Sequence, residues 1–159
     1  MQQKPSISLD NRILKRLSAV DLALLKPNLE PVELPVRQVL ETLNKPIKHS
    51  YFIEYGLASI IAANNHKRIE VGLIGLEGVT GLPIILGNDR SPNETFMQVP
   101  GHGTRIAADK LRKAITQSQL TRTCAAQFCP RLHEPDREHC TLEWDLYARG
   151  TVGAVAADG

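Results

Sequence analysis

The strongest constraint on the fold is a glycine-dense stretch in the middle of the chain, with segments of alternating apolar residues on both sides. Five of the eleven glycines lie there, at Gly72, Gly75, Gly78, Gly81 and Gly87. Glycine has no Cβ, so it tolerates positive φ and lets backbone N–H groups approach a ligand closely. Such a loop can hold an anion, including a phosphate group. The same glycines can also simply turn the corners of a β-barrel, and the sequence leaves both interpretations open.

The length and composition of the chain indicate one domain with a hydrophobic core. The chain has 159 residues, of which 42% are hydrophobic, and a net charge of +2 that gives no overall electrostatic case for nucleic-acid binding. The N-terminal segment is polar, and no apolar run approaches the roughly 20 residues that cross a bilayer. The three cysteines all lie between Cys124 and Cys140, an odd number that predicts no disulfide framework. A cytoplasmic protein without membrane association is therefore expected.

The N-terminal part predicts helices. Apolar residues with helical spacing follow Asp10, and Ser18 with Asp21 resembles a capping box that opens a second short helix ending at Pro27. After residue 30 the period changes to that of a strand, with alternation through Val36. The chain thus passes from helices into sheet.

The middle of the chain predicts short strands separated by close turns. The strands are expected at residues 49–53, 57–63, 67–74, 96–99 and 104–106, with turns at 44–46, 54–56, 64–65 and 100–103. Residues 107–118 then return to a helical pattern, with Leu111, Ala114 and Ile115 on one face. This order predicts an α+β protein whose sheet is a barrel or jelly roll.

Three segments in this order resemble the effector domain of the Crp/Fnr family of bacterial transcription regulators. They are LEPVELPVRQVL, NKPIKHSYFIEYGLASI, and EVGLIGLEGVTGLPIILGNDRSP followed by QVPG. The resemblance covers residues 10–122. It implies an eight-stranded, jelly-roll-like β-roll of the cyclic-nucleotide-binding type, with short N-terminal helices and a following C-terminal helix. It also implies a non-catalytic sensory domain whose effector, if it has one, is a small molecule such as a cyclic nucleotide.

The resemblance also implies an effector site, at Gly78, Gly81, Leu82, Arg90 and Ser91. Arg90 and Ser91 match the family's Arg-Ser pair, whose guanidinium and hydroxyl donate to a cyclic phosphate. The family's glutamate for the ribose hydroxyl is missing, because Leu82 follows Gly81 and has no side-chain acceptor. Glu77 is a candidate substitute, but a solvated loop carboxylate is its more ordinary role and the one expected here. The sequence therefore predicts an anion site rather than a complete cAMP site.

The tail after residue 122 departs from the family pattern. Regulators of this kind continue into a dimerisation helix and a winged helix-turn-helix, but only 37 residues follow Arg122. Residues 123–159 lack sustained helical periodicity and are expected to form an atypical tail of a truncated regulator. No DNA binding is expected from this chain alone. The expected partner is a second copy of the chain, in a homodimer, or a full-length relative, in a heterodimer. In the alternative function, the β-roll acts only through such protein pairing.

A metal site or an enzyme is disfavoured by the residue spacing. The tail offers Cys124, Cys129, Cys140 and two histidines, but no paired knuckle spacing for zinc. His49, His66 and His102 do not share a strand at alternate positions, which argues against a β-roll metalloenzyme. No nucleophile and base occur in a recognisable motif, so no catalytic residue and no resident cofactor are expected.

Overall fold

The computed structural model describes residues 9–63 and 67–117. It begins with two short helices, α1 (Arg12–Arg16) and α2 (Ala19–Leu25), followed by a 3-10 turn over Lys26–Asn28. Ser18 caps α2 as predicted, since Asp21 N donates to Ser18 Oγ over 3.1 Å, and the Ser18 hydroxyl donates to Asp21 Oδ2 over 2.8 Å. The cap of α1 is Asn11.

Five strands form one antiparallel sheet in the described part of the chain. They are β1 (Glu30–Leu34), β2 (Val39–Glu41), β3 (His49–Ala63), β4 (Arg68–Ile74) and β5 (Glu94–Ala107). The strand order is β1-β5-β3-β4, and β2 pairs with β5 beside this path. Helix α3 (Leu82–Ile85) lies between β4 and β5, and α4 (Ala108–Gln117) follows β5. The α+β architecture of an antiparallel sheet with a few helices is confirmed.

The predicted count of eight strands is not confirmed. Segments predicted as separate strands join into the long β3 and β5, which run through the predicted turns at 54–56 and 100–103. Their pairing changes register between Ile53 and Ala58. Gly56 has φ 99°, and a Cβ on Gly101 would overlap Tyr55 O, so glycine here lets two strands bend while they stay paired.

Of the two turns beside β2, the sequence predicted the one after it and missed the one before it. Asn44 has φ 59°, which confirms the predicted turn at 44–46. The strand predicted to reach Val36 instead ends at Leu34, because the chain turns where Gln38 N donates to Pro35 O and Arg37 takes φ 66°. Alternation in sequence did not reveal this turn, since Val36 is an exposed apolar side chain.

The core has two parts on the two sides of the sheet. One part lies between the helices and the sheet, and is built from the following buried residues: Ile13, Leu14, Leu17, Leu25, Leu29, Ile47, Phe52, Val79, Ile84, Ile85, Ile106, Ala108, Leu111 and Ala114. The other part lies inside the rolled sheet and contains Leu34, Leu40, Tyr51, Ile53, Ala58, Ile74 and Met97. Helix α4 packs through the face predicted from its spacing, with Leu111 and Ala114 buried.

Asn11 joins helix α1 to the glycine-rich loop. Its Oδ1 accepts from Ile13 N and Leu14 N, and its Nδ2 donates to Ile53 O and Gly78 O, both over 2.8 Å. The side chain is fully buried. One residue therefore caps a helix, holds a strand and fixes the loop that leads to the site.

Replacing Asn11 with alanine is expected to lower the free energy of unfolding by about 2–4 kcal/mol, because a cap is lost and two buried carbonyls lose their donor. Ser18→Ala removes only a part-buried cap and is expected to cost about 1 kcal/mol. Urea unfolding of both variants measures the difference. Equal losses would show that the two hydrogen bonds across to Ile53 and Gly78 contribute nothing to stability.

Candidate oxyanion site

The segment between β4 and α3 is fixed to strand β3. The chain turns at Gly75–Gly78, where Gly78 N donates to Gly75 O over 3.0 Å. Thr80 then pairs with Tyr51 in both directions, because Thr80 N donates to Tyr51 O and Tyr51 N donates to Thr80 Oγ1, each over 3.0 Å. The position of Gly81 is thereby set by the sheet.

Gly81 begins helix α3 in a conformation that other residues adopt only with strain. Its φ is 76° and its ψ is 24°. A Cβ at this position would overlap Ser50 Oγ and lie 3.0 Å from Ser50 Cβ. The local structure therefore requires glycine here, and its N–H points towards Glu41 at the end of strand β2.

Glu41, the last residue of β2, places its carboxyl group against that N–H. Gly81 N donates to Glu41 Oε1 over 2.5 Å, and Ser91 Oγ lies 2.6 Å from Glu41 Oε2. Glu41 is 7% exposed and Ser91 is 1% exposed. We call the pair formed by the Gly81 N–H and the Ser91 hydroxyl the oxyanion cradle. Its occupant in this structure is a carboxyl group of the chain itself.

The proton count at Ser91 bears on the charge of this carboxyl. Ser91 Oγ lies 2.8 Å from Asn93 O as well as 2.6 Å from Glu41 Oε2, and Asn93 N donates to it over 3.4 Å. A hydroxyl has one proton and cannot donate to both oxygens at once. Both contacts are hydrogen bonds when a protonated Glu41 donates to Ser91 Oγ, which in turn donates to Asn93 O.

The surroundings of Glu41 favour the same protonation state. Burial raises the pKa of Glu41 above its ordinary value, and the hydrogen bonds with Ser91 and Gly81 act in the opposite direction with smaller effect. Within residues 9–63 and 67–117 no ion pair includes Glu41. Burial without an ion-pair partner therefore shifts the equilibrium of the Glu41 carboxyl towards the neutral acid.

The structure brings together two of the five residues predicted for the site. Gly81 and Ser91 meet at the Glu41 carboxyl, whereas Arg90 is exposed and its Nη1 donates to Asn44 O over 2.8 Å. Adjacent residues in extended chain face opposite sides, which explains why Ser91 points inward and Arg90 outward. The Arg-Ser pair therefore does not converge on one group in this structure.

The other two predicted residues have structural contacts. The Gly78 carbonyl accepts from Asn11 Nδ2, and a Cβ on Gly78 would lie 2.6 Å from Ile74 Cγ2. Leu82 is partly buried and packs against the core between the helices and the sheet. Glu77, the candidate substitute for a ribose-binding glutamate, is exposed in the loop.

Glu41 is the residue that the sequence interpretation missed. Leu40 and Glu41 are both buried although they are neighbours, because the pairing of β2 with β5 shifts register between Val39 and Glu41. Strand alternation would place Glu41 beside the exposed Val39, on the solvent side. Asn11 was also missed, although an asparagine directly before an apolar helical pattern is an ordinary cap signal.

No metal cluster occurs among the residues that the structure describes, since no group of three His, Cys, Asp or Glu side chains could hold an ion there. His102 stacks on Tyr55 with ring centroids 5.9 Å apart, and His49 lies against Tyr51. Burial lowers the pKa of His49, with the Arg105 charge as the next contribution. His66 and the three cysteines lie outside the described residues.

Comparison with known proteins gives matches in structure alone. No protein-family model and no curated protein matches the chain. A cyclic nucleotide-binding-like protein from Brucella abortus superposes with a TM-score of 0.56 at 18% identity, over 70% of this chain and all of that one. The fold is that of a cyclic-nucleotide-binding domain.

Two further structures with this fold come from regulatory proteins. The sensor domain of the transcriptional regulator DNR from Pseudomonas aeruginosa has a TM-score of 0.59 at 15% identity, over 79% of this chain and 95% of that one. The regulatory domain of Toxoplasma gondii PKA, solved with cAMP, has a TM-score of 0.61 at 12% identity, over 76% of this chain and 46% of that one. This chain thus spans less than half of the PKA domain. Its cyclic-nucleotide-binding fold recurs in bacterial and eukaryotic regulators.

Within the described residues, none of the helices has the length and apolar character needed to cross a bilayer.

Proposed function

We propose that the chain is a non-catalytic sensory domain of a Crp/Fnr-type regulator. In this proposal a small effector bearing an oxyanion, such as a phosphate group, binds between residues 78–87 and Ser91. The observation that supports it most directly is the oxyanion cradle. In a cyclic-nucleotide-binding fold, the Gly81 N–H and the Ser91 hydroxyl converge on a single carboxyl group.

The role of Arg90 in this proposal requires a local rearrangement. Arg90 holds the Asn44 carbonyl through an exposed side chain, and an exposed hydrogen bond of this kind costs little to exchange for one to an anion. A guanidinium that turned towards Ser91 would add two donors to the cradle. Asn44, with its positive φ, is at a turn and lies beside Ser91, since Asn44 N donates to Ser91 O over 2.8 Å.

Calorimetric titration with cAMP, cGMP and cyclic dinucleotides tests the proposed function. Binding of one of these compounds is expected, with affinity lowered at least tenfold in Arg90→Ala because a charge-assisted pair is lost. Arg68→Ala is the matched control, since Arg68 is an exposed arginine paired with Glu94 on the sheet and is expected to leave affinity unchanged. Absence of binding by every compound would reject a nucleotide effector.

A second candidate function is pairing with another copy of this chain. Three apolar side chains alternate along β4 and are about half exposed: Ile69, Val71 and Leu73. In the described part of the chain β4 pairs only with β3, so its other edge offers free backbone groups to an added strand.

Light scattering after size-exclusion chromatography tests this second function. A dimer is expected, and Val71→Lys is expected to give a monomer because it places a charge in the middle of the apolar row. Glu33→Lys, an exposed change on β1, is the control that leaves the dimer intact. A native chain that is monomeric at all concentrations would reject this candidate.

A further inference from the structure

Unlike a surface carboxylate, the Glu41 carboxyl is buried and has a protein partner for each of its oxygens. The side chain lies at the end of β2, and its two partners come from distant parts of the chain. Gly81 is 40 residues away and Ser91 is 50 residues away. The carboxyl therefore ties the loop before α3 and the segment before β5 to strand β2.

An external oxyanion would accept from the same two groups, the Gly81 N–H and, once its proton turns from Asn93 O, the Ser91 hydroxyl. The Gly81 N–H has no other acceptor among the described residues, and its direction is set by the left-handed backbone conformation of Gly81. Ser91 keeps its bond to Asn93 O when the carboxyl leaves, or turns its proton towards an incoming anion. An oxyanion and the Glu41 carboxyl cannot both accept from Gly81 N, because an N–H has one proton.

We propose that Glu41 is a tethered ligand that closes the oxyanion cradle, so that an oxyanion binds to Gly81 and Ser91 only when this side chain is displaced or removed. The inference rests on the proposed function only for the identity of the natural effector. Glu41 then determines which ligands the site accepts. Its displacement would also release the loop before α3 from strand β2, which gives effector binding a direct structural consequence.

The chemistry of the side chain supplies a probe. Changing Glu41 to alanine removes a CH₂ group and a carboxyl group, and acetate has the same heavy atoms. Acetate should therefore refill the vacated volume and accept again from Gly81 N, whereas the native chain has no room for it. Inorganic phosphate tests the same donors with a tetrahedral oxyanion.

Amide chemical shifts of uniformly labelled protein measure this binding at single residues. In Glu41→Ala, acetate is expected to shift the Gly81 and Ser91 amides saturably, with a dissociation constant on the order of 10 mM for so small a ligand. The native chain is expected to show no saturable change at these two residues. Glu33→Ala, which removes an exposed carboxylate on β1, should behave like the native chain.

The outcomes separate the inference from the proposed function. Saturable acetate or phosphate binding at Gly81 in Glu41→Ala alone supports the tethered ligand, even if no nucleotide binds the native chain. Equal acetate binding by the native chain and by Glu41→Ala would overturn the inference. The inference would also be overturned if Glu41→Ala bound neither acetate nor phosphate while its other amide signals matched those of the native chain.

If Glu41→Ala does not fold, Glu41→Gln gives the second test. Its amide fills the cradle and should exclude acetate as the native side chain does, and acetate shifts at Gly81 in Glu41→Gln would overturn the inference.

Discussion

Glutamine at position 41 is expected to keep the stability that alanine at the same position loses. At pH 4 we expect Glu41→Gln to lie within about 1 kcal/mol of the native chain and Glu41→Ala to fall about 2–4 kcal/mol below it. The amide reproduces the neutral acid, since its oxygen accepts from Gly81 N and its NH₂ donates to Ser91 Oγ. Alanine leaves the Gly81 N–H without an acceptor and opens a cavity.

The pH dependence of this difference follows from the direction of the Glu41 pKa. The folded-state pKa is raised above the ordinary value of 4.5, so the folded chain binds the Glu41 proton more tightly than the unfolded chain does. The stability contributed by Glu41 is therefore complete below pH 4.5 and is lost as the pH rises through the raised pKa, by at most about 1.4 kcal/mol per pH unit. Glu41→Gln lacks this loss and becomes the more stable protein as the pH rises.

Urea unfolding of the native chain, Glu41→Gln and Glu41→Ala at a series of pH values measures this effect. The difference between the native chain and Glu41→Gln isolates Glu41, because the other titrating groups are the same in both. A native chain that gained stability relative to Glu41→Gln between pH 4 and 7 would show that Glu41 is ionised in the cradle.

Alanine at position 81 is expected to lower the free energy of unfolding by about 2–5 kcal/mol. One part of this cost is the left-handed conformation at φ 76°, which costs a residue with a Cβ about 1 kcal/mol or more. The other part is the overlap with Ser50, whose Oγ and Cβ face the position that the new methyl group would take.

Gly87 is the matched control for this substitution. It also has a positive φ, of 86°, but a Cβ there would meet no atom within 4 Å. Gly87→Ala is therefore expected to cost only about 1 kcal/mol. Adding Ser50→Ala to Gly81→Ala should recover part of the loss, because Ser50 Oγ is buried and has no hydrogen-bond partner among the described residues. Equal costs at Gly81 and Gly87, measured by urea unfolding, would contradict the close contact with Ser50.

The sequence predicted the elements whose signals are local. Helix α4, the Ser18 cap of α2 and the turn at Asn44 depend on residues within a few positions of one another, and the structure confirms them. The number of strands in the described residues differs from the predicted eight because Gly56 and Gly101 let β3 and β5 bend without ending. This bending depends on the close approach of two strands that are distant in sequence. Local turn signals cannot show whether a strand stops or bends.

The candidate site was predicted only in part, because some of its contacts join residues distant in sequence. Gly81 and Ser91 were found from a motif, and the structure places both at one carboxyl group. That carboxyl belongs to Glu41, which becomes buried through an irregular pairing of β2 with β5. Nothing in the neighbouring sequence distinguishes it from an ordinary surface glutamate. The side-chain direction of Arg90 likewise depends on the backbone course between Asn44 and Ser91.

The most direct test of the central claim is a pH titration of the Glu41 side-chain carboxyl carbon by NMR, with the Gly81 amide proton observed in the same samples. A neutral carboxyl in the cradle predicts a midpoint above the ordinary 4.5, with the Gly81 amide proton shifting over the same pH range. A midpoint at or below 4.5, or a Gly81 amide proton that does not respond to the titration, would contradict it.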